Sequence, residues 1–156
     1  MTEGTSKKPE SVDNRSEEGS VGAPEWGDNI DQLTFEQILE MDEDEAEREF
    51  SKSIVYGFFE QAEETLKKME SALKEGDLGQ LSALGHFLKG SSATLGLNKV
   101  RDSCEKIQHF GAHKDETGTA DEPDSQRSLN RIKQTLSEVK VEYAEAEKLL
   151  KKFYEG

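Results

Sequence analysis

The strongest constraint on this chain is a set of apolar residues that recurs at helical spacing along most of its length. Phe50, Ile54, Phe58, Ala62, Leu66, Met69 and Leu73 follow one another at three or four positions. So do Leu129, Ile132, Leu136, Val139, Tyr143, Ala146, Leu149 and Phe153. That spacing puts each set on one face of a helix, and it conflicts with the strict alternation of a half-buried strand. Two shorter stripes lie between them: Leu81, Leu84, Leu88 and Leu95, then Val100, Cys104, Ile107 and Phe110. No segment shows a convincing period of two. A helix with one apolar stripe has to bury it against other helices, so four stripes predict four mutually packed helices.

The punctuation agrees. Gly76 suits the end of the first long helix, near Lys74, and Asp77 the cap of the next. Gly96 stops that helix at about Leu95, Asn98 caps the one after it, and Gly111 closes it. Residues 112–124 form a polar loop containing Gly118 and Pro123, and the last helix runs over about 125–154. Ahead of these, residues 34–41 predict a short helix that buries Phe35, Ile38 and Leu39. Thr34 serves as its N-cap, and Gln37 completes a capping box. The acidic run 42–47 then opens the first long helix, where negative charge favours the helix dipole. The expected fold class is all-α: an up-and-down four-helix bundle with a short additional N-terminal helix.

Residues 1–28 are rich in Gly, Ser, Glu and Pro without apolar periodicity, and are expected to be a disordered acidic and polar tail. The bundle domain is assigned to 29–156. Trp26, between Pro24 and Gly27, either packs the chain's entry onto the bundle or belongs to the tail.

Thirty-four acidic residues against twenty Lys and Arg give a net charge of −14. That argues against nucleic acid and against an anionic membrane surface, both of which need clustered cations. No stretch approaches the ~20 apolar residues of a membrane span. The N-terminus lacks an apolar signal region, so secretion is not expected. A lone cysteine, Cys104, excludes an internal disulfide and fits a reducing compartment. It lies on an apolar stripe, as a core residue would.

One run departs from ordinary amphipathic patterning: His86-Phe87-Leu88-Lys89-Gly90-Ser91-Ser92-Ala93. At about 100° per residue, Lys89, Gly90 and Ala93 all fall within about 60° of the direction of His86. Leu84 and Leu88 point about 160° away from it. The histidine therefore faces outward, beside a cation and two residues with almost no side chain. Gly90 costs about 1 kcal/mol relative to Ala in a helix interior. It either leaves open space above the imidazole or admits a close-packed neighbour. An exposed imidazole nitrogen can act as a nucleophile toward phosphorus, and a lysine can neutralise phosphoryl oxygens. There is no Gly-rich phosphate loop and no strand pattern for a nucleotide fold, so any phosphoryl group would come from another protein.

The segment GHFLKGSSATLGL at 85–97, followed by CEKIQHFG at 104–111, resembles the fungal-type histidine-containing phosphotransfer (HPt) proteins, phosphorelay intermediates of the yeast osmosensing type. The likeness is close over 35–111, weaker in the last helix, and absent from the tail. It implies a helical bundle with an exposed histidine in mid-helix. It implies that His86 accepts a phosphoryl group from a receiver-domain aspartate of a hybrid histidine kinase and passes it to the aspartate of a downstream response regulator. By the same resemblance Lys89 sits near the phosphoryl oxygens, and Gly90 leaves room for the incoming group. Gln108 hydrogen-bonds and orients the imidazole, and Ser91 is a polar neighbour. Phe87, Leu84, Ile38 and Met41 are the candidate docking residues, although Ile38 and Met41 equally suit a core role. No cofactor is implied for this chain, with Mg2+ expected on the partner receiver domain. A monomer is expected, in the cytoplasm and nucleus. Related chains often carry a basic residue after the glycine matching Gly111; here Ala112 is followed by His113 and Lys114.

Two other readings remain open at this level. An acidic helical adaptor would only bind partner proteins. A metal-dependent hydrolase would use the three histidines, but Gly111 interrupts the His109–His113 pair and no Cys or carboxylate set completes a site.

Overall fold

The computed structural model describes residues 26–155. Five helices follow in order: α1 (Gln32–Leu39), α2 (Glu49–Glu75), α3 (Leu78–Leu95), α4 (Asn98–Gly111) and α5 (Ser125–Glu155). α2 to α5 form an up-and-down bundle in which each helix packs on the next and α5 returns against α2. α1 lies across one end, touching α2 and α3. The shared core includes Val55, Phe59, Met69, Leu81, Leu88, Val100, Ile107, Ile132, Val139 and Leu150. The four predicted stripes supply most of it. In α2 the stripe turns slightly, so that Val55 and Phe59 are buried while Phe50 is 46% exposed.

The helix ends show where local chemistry overrides pattern. α1 starts at Gln32, two residues before the predicted Thr34, with Asp31 as its N-cap, and the Thr34 hydroxyl donates to the Asp31 carboxylate. The acidic run does not open α2. Arg48 adopts a left-handed conformation (φ 51°), and the helix begins only at Glu49. Asp42 reaches forward to take the Ser51 N–H at 2.7 Å and the Ser51 hydroxyl at 2.6 Å. It thus supplies from a distance the acceptor that a free helix start lacks. Asp77 caps α3 as expected, its carboxylate accepting from Gln80 N–H. Asn98 is the first residue of α4 and not its cap; its N–H is taken by the Asn29 carbonyl at 3.0 Å.

Of the predicted tail, residues 1–25 lie outside the described residues, and among residues 26–28 Trp26 packs onto the bundle. Trp26 is buried against Phe35 and Phe153, with ring centroids 5.4 and 5.5 Å away. Packed aromatic pairs of this kind add about 0.5–1.5 kcal/mol each beyond area burial. The folded part therefore begins no later than Trp26.

α3 and α4 approach unusually closely. A Cβ on Gly85 would stand 2.9 Å from the Cys104 carbonyl oxygen and 3.0 Å from the Gln108 nitrogen. One on Gly111 would stand 2.7 Å from both the Leu78 carbonyl oxygen and the Ser82 nitrogen. The Ser82 hydroxyl crosses between the helices to the Gln108 carbonyl at 2.9 Å. The pair is held backbone to backbone, with a glycine at each crossing.

Gly111→Ala is accordingly expected to lower unfolding free energy by about 1–3 kcal/mol, the range for overpacking. Gly57→Ala should raise it by about 0.5–1 kcal/mol, because that helical glycine is exposed and a Cβ there meets nothing. Urea unfolding of both variants checks the contrast. Burial pushes the Cys104 thiol up to about 12, with the nearby Glu142 carboxylate adding to it. At pH 8 its reaction with a thiol reagent should be at least roughly 100-fold slower in the folded protein than in denaturant.

Candidate functional site

His86 stands at the middle of α3, exposed, and its imidazole makes no hydrogen bond among the described residues. The inward side of the same turns is filled by Leu81, Gly85, Leu88 and Ser92, so the helix cannot rotate to hide the ring. Above it Gly90 is exposed, and a Cβ there would meet nothing within 4 Å. Of the two readings left by the sequence, open space holds and close helix packing does not. Close packing belongs instead to Gly85 and Gly111. Ser91 turns its hydroxyl back to the Phe87 carbonyl, 3.2 Å away in its own helix, which leaves that proton committed.

Lys89 is half-buried and reaches α4, where its Nζ lies 3.5 Å from a carboxylate oxygen of Glu105. The two side chains are 31% and 45% exposed, so water screens the pair and it contributes at most about 1 kcal/mol. Sequence reasoning missed Glu105. The signal was available in its spacing, three residues before Gln108 and thus on the same side of α4.

Gln108 is placed beside α3 by the crossing at Gly85 and Ser82. Its side chain makes no hydrogen bond to His86. Instead the amide oxygen Oε1 is buried without a partner. A buried acceptor left empty costs about 1–3 kcal/mol, so this oxygen is poised to take a donor.

The candidate docking residues divide. Phe87 is 48% exposed and Met41 62% exposed, as a contact surface requires. Leu84 is half-buried and packed against the core. Ile38 is a correction: at 8% exposure it is a core side chain of α1 and offers almost nothing to a partner. Leu33 is more exposed than any of these, at 73%. It fell outside the predicted short helix, which began one residue later. α1 is fixed relative to the end of α3: Asp31 N–H donates to the Gly96 carbonyl at 2.7 Å, and Ile30 bridges Leu97.

Of the basic residues after Gly111, Lys114 is committed elsewhere. Lys114 is paired with Asp121 within the α4–α5 loop. The Asp115 carboxylate accepts from the Thr117 hydroxyl and from the N–H groups of Thr117, Thr119 and Ala120, which hold it below the ordinary carboxylate range. His109 is engaged in the same loop, with Nδ1 2.8 Å from the Glu116 carbonyl and Gly118 seated against its ring. Among the described residues no group of three or more His, Cys, Asp or Glu side chains could hold a metal. An open groove of about 660 Å³ between α2 and α5 takes no residue from α3 or α4. His86 thus presents a nucleophilic nitrogen on an exposed helix face.

Comparison with known proteins agrees with this geometry. The Hpt domain family model matches residues 54–142. Multistep phosphorelay regulator 1 of Schizosaccharomyces pombe is 49% identical over 126 residues, covering 81% of this chain and 42% of that protein. The phosphorelay intermediate protein YPD1 of Candida albicans is 51% identical over 82 residues, covering 53% of this chain and 44% of that protein. The chain spans less than half the length of these curated relatives. Among solved structures, Saccharomyces cerevisiae Ypd1, crystallised with the receiver domain of its downstream response regulator Ssk1, superposes with a TM-score of 0.69. It is 32% identical, and the match covers 81% of this chain and 94% of that one. The family match takes in α3 and α4 whole, with His86, Lys89, Gly90 and Gln108 inside it, and the chain belongs to the Hpt domain family.

Proposed function

We propose that this protein is a phosphorelay intermediate in which His86 accepts a phosphoryl group from the aspartate of a receiver domain and delivers it to the aspartate of a response regulator. The observation that carries this reading is the exposed, unbonded imidazole of His86 beneath the open space over Gly90. A phosphoryl group with its three oxygens needs that space, and a receiver domain needs an exposed face to dock on. The co-crystallised yeast relative supports the partner class, since that Ypd1 structure contains a receiver domain.

The chemistry follows from the site. The free imidazole nitrogen attacks phosphorus with its lone pair, forming an N–P bond as the P–O bond to the aspartyl carboxylate breaks. The aspartate leaves as a carboxylate, and the other ring nitrogen keeps its proton. Gln108 Oε1, buried and unfilled, would accept that ring N–H if the imidazole turned toward it. This would fix the tautomer that leaves the attacking nitrogen free. Phosphoryl transfer depends mainly on positioning and charge neutralisation. Lys89 supplies a cation from this chain, and the receiver is expected to supply Mg2+. Run backwards onto a second aspartate, the same step discharges the histidine.

Met41, Leu33 and Phe87 would provide apolar contacts for the receiver. No described helix is long and apolar enough to cross a membrane. Residence in cytoplasm and nucleus would suit a carrier between a kinase and regulators of transcription.

Incubation with a phosphorylated receiver domain is expected to label the wild-type protein in an acid-labile, base-stable manner and to leave His86→Gln unlabelled. Labelling of His86→Gln at the wild-type rate would instead favour a binding-only adaptor or another acceptor. Gly90→Gln should slow transfer at least roughly tenfold while far-UV circular dichroism stays near wild type, because the added bulk fills the phosphoryl space and not the core.

A further inference from the structure

Glu105 has no place in the transfer chemistry described so far, yet its position is closely defined. α3 and α4 run antiparallel, with Ser82 against Gln108, Gly85 against Cys104, and Lys89 against Glu105. Gly85 lies against both Cys104 and Gln108, so His86, the residue after it, stands level with the start of the α4 turn that carries Glu105 and Gln108. Those two side chains leave α4 within about 60° of one another, toward the α3 side. The Glu105 carboxylate draws Lys89 Nζ to 3.5 Å, at the long end for an ion pair, and both side chains remain partly in water. Such a pair is held loosely and exchanges readily with a stronger anion.

We infer that Glu105 is a positioning residue that reserves Lys89 for the phosphoryl group. This rests on the reading of His86 as the phosphoacceptor. In the unphosphorylated protein the carboxylate keeps the ammonium on the α4 side, clear of the open space over Gly90. When a phosphoryl group reaches His86, its oxygens carry more negative charge than one carboxylate, and the lysine stem pivots toward them. Glu105 then competes for Lys89 throughout the life of the phosphohistidine. That competition weakens the hold on the phosphoryl group and keeps it transferable. Glu105 forms and breaks no covalent bond in this scheme.

The experiment compares wild type, Glu105→Gln, Glu105→Ala, Lys89→Ala and the Glu105→Gln/Lys89→Ala double variant. Each is phosphorylated with phosphoramidate, freed of donor, and followed for loss of phosphohistidine. Both Glu105 variants are expected to lengthen the half-life by about two- to five-fold, the effect of one partly screened ion pair. Lys89→Ala should shorten it, and Glu105→Gln should add nothing in the Lys89→Ala background. A merely structural role would not lengthen the half-life, nor make the gain depend on Lys89. An unchanged or shorter half-life in both Glu105 variants overturns the inference, as does a gain that persists without Lys89. A wild-type protein that takes no label at His86 overturns the phosphoacceptor reading, and this inference with it, before any Glu105 comparison is made.

Discussion

The close crossing of α3 and α4 is the constraint on which the rest of the site depends. Two glycines, Gly85 and Gly111, bring backbone against backbone where any Cβ would collide. At ordinary interaxial distances of about 8–10 Å, side chains from the two helices would fill the gap between them. Here the backbones meet, and the side chains flanking the contact are carried onto a common surface. His86 and Lys89 come from one helix and Gln108 and Glu105 from the other. None of the four needs a loop to hold it. The Ser82 hydroxyl adds a fixed polar tie at the same level. A site built on two rigid helices is held more precisely than one on loops.

A second constraint acts at the end of the bundle. Trp26, Phe35, Phe153 and Tyr154 pack edge to face, with Trp26 and Phe153 tilted, across α1, α5 and the segment entering α1. The Arg48 guanidinium lies 4.4 Å over the Phe153 ring. Tyr154 donates to Ser51, which in turn donates to Asp42, so the cluster also closes the start of α2. This offsets the strain of Arg48 in the left-handed region. It matters for the site because α1, a helix of only eight residues, would not persist alone. Anchored here and at Gly96, it can display Leu33, and the turn that follows it Met41.

What could be read from the sequence follows the range of the forces involved. The bundle helices were legible because each is specified by its own periodicity and punctuated by Gly76, Gly96 and Gly111, all local signals. The outward direction of His86 followed from helix geometry alone, whereas the space over Gly90 was one of two readings that only the packing of the helices decided. The start of α2 was not legible, because its acceptor, Asp42, lies nine residues from Ser51 and acts through folding of the connection. Nor was the burial of Ile38, which pattern left balanced between core and contact and which packing of α1 on the bundle decided. Leu33 and Glu105 were missed for different reasons: one lay just outside a predicted boundary, and the other matters through a lysine on a different helix. The Gln108 side chain shows a further limit. Its role came from resemblance, and the geometry supplies a buried oxygen without a partner.

The electrostatics of such a site pull in opposite directions. A carrier has to accept a strongly anionic group and also release it. A chain with a net charge of −14 opposes acceptance over long distances, although that field is largely screened beyond about 10 Å at physiological salt. Within that distance a dense cluster of cations would favour acceptance and hinder release. The described structure takes a middle course. Lys114, which could have added a cation after α4, is paired with Asp121 in the loop. Lys89 remains beside His86 and is itself shared with Glu105. The phosphoryl group would therefore meet one partly committed cation on this chain, and the balance of charge during transfer would be set by what the docked receiver brings. That is consistent with an exposed face in place of a pocket. The histidine is left accessible, and on the proposed reading the direction of transfer would be decided by which partner is bound.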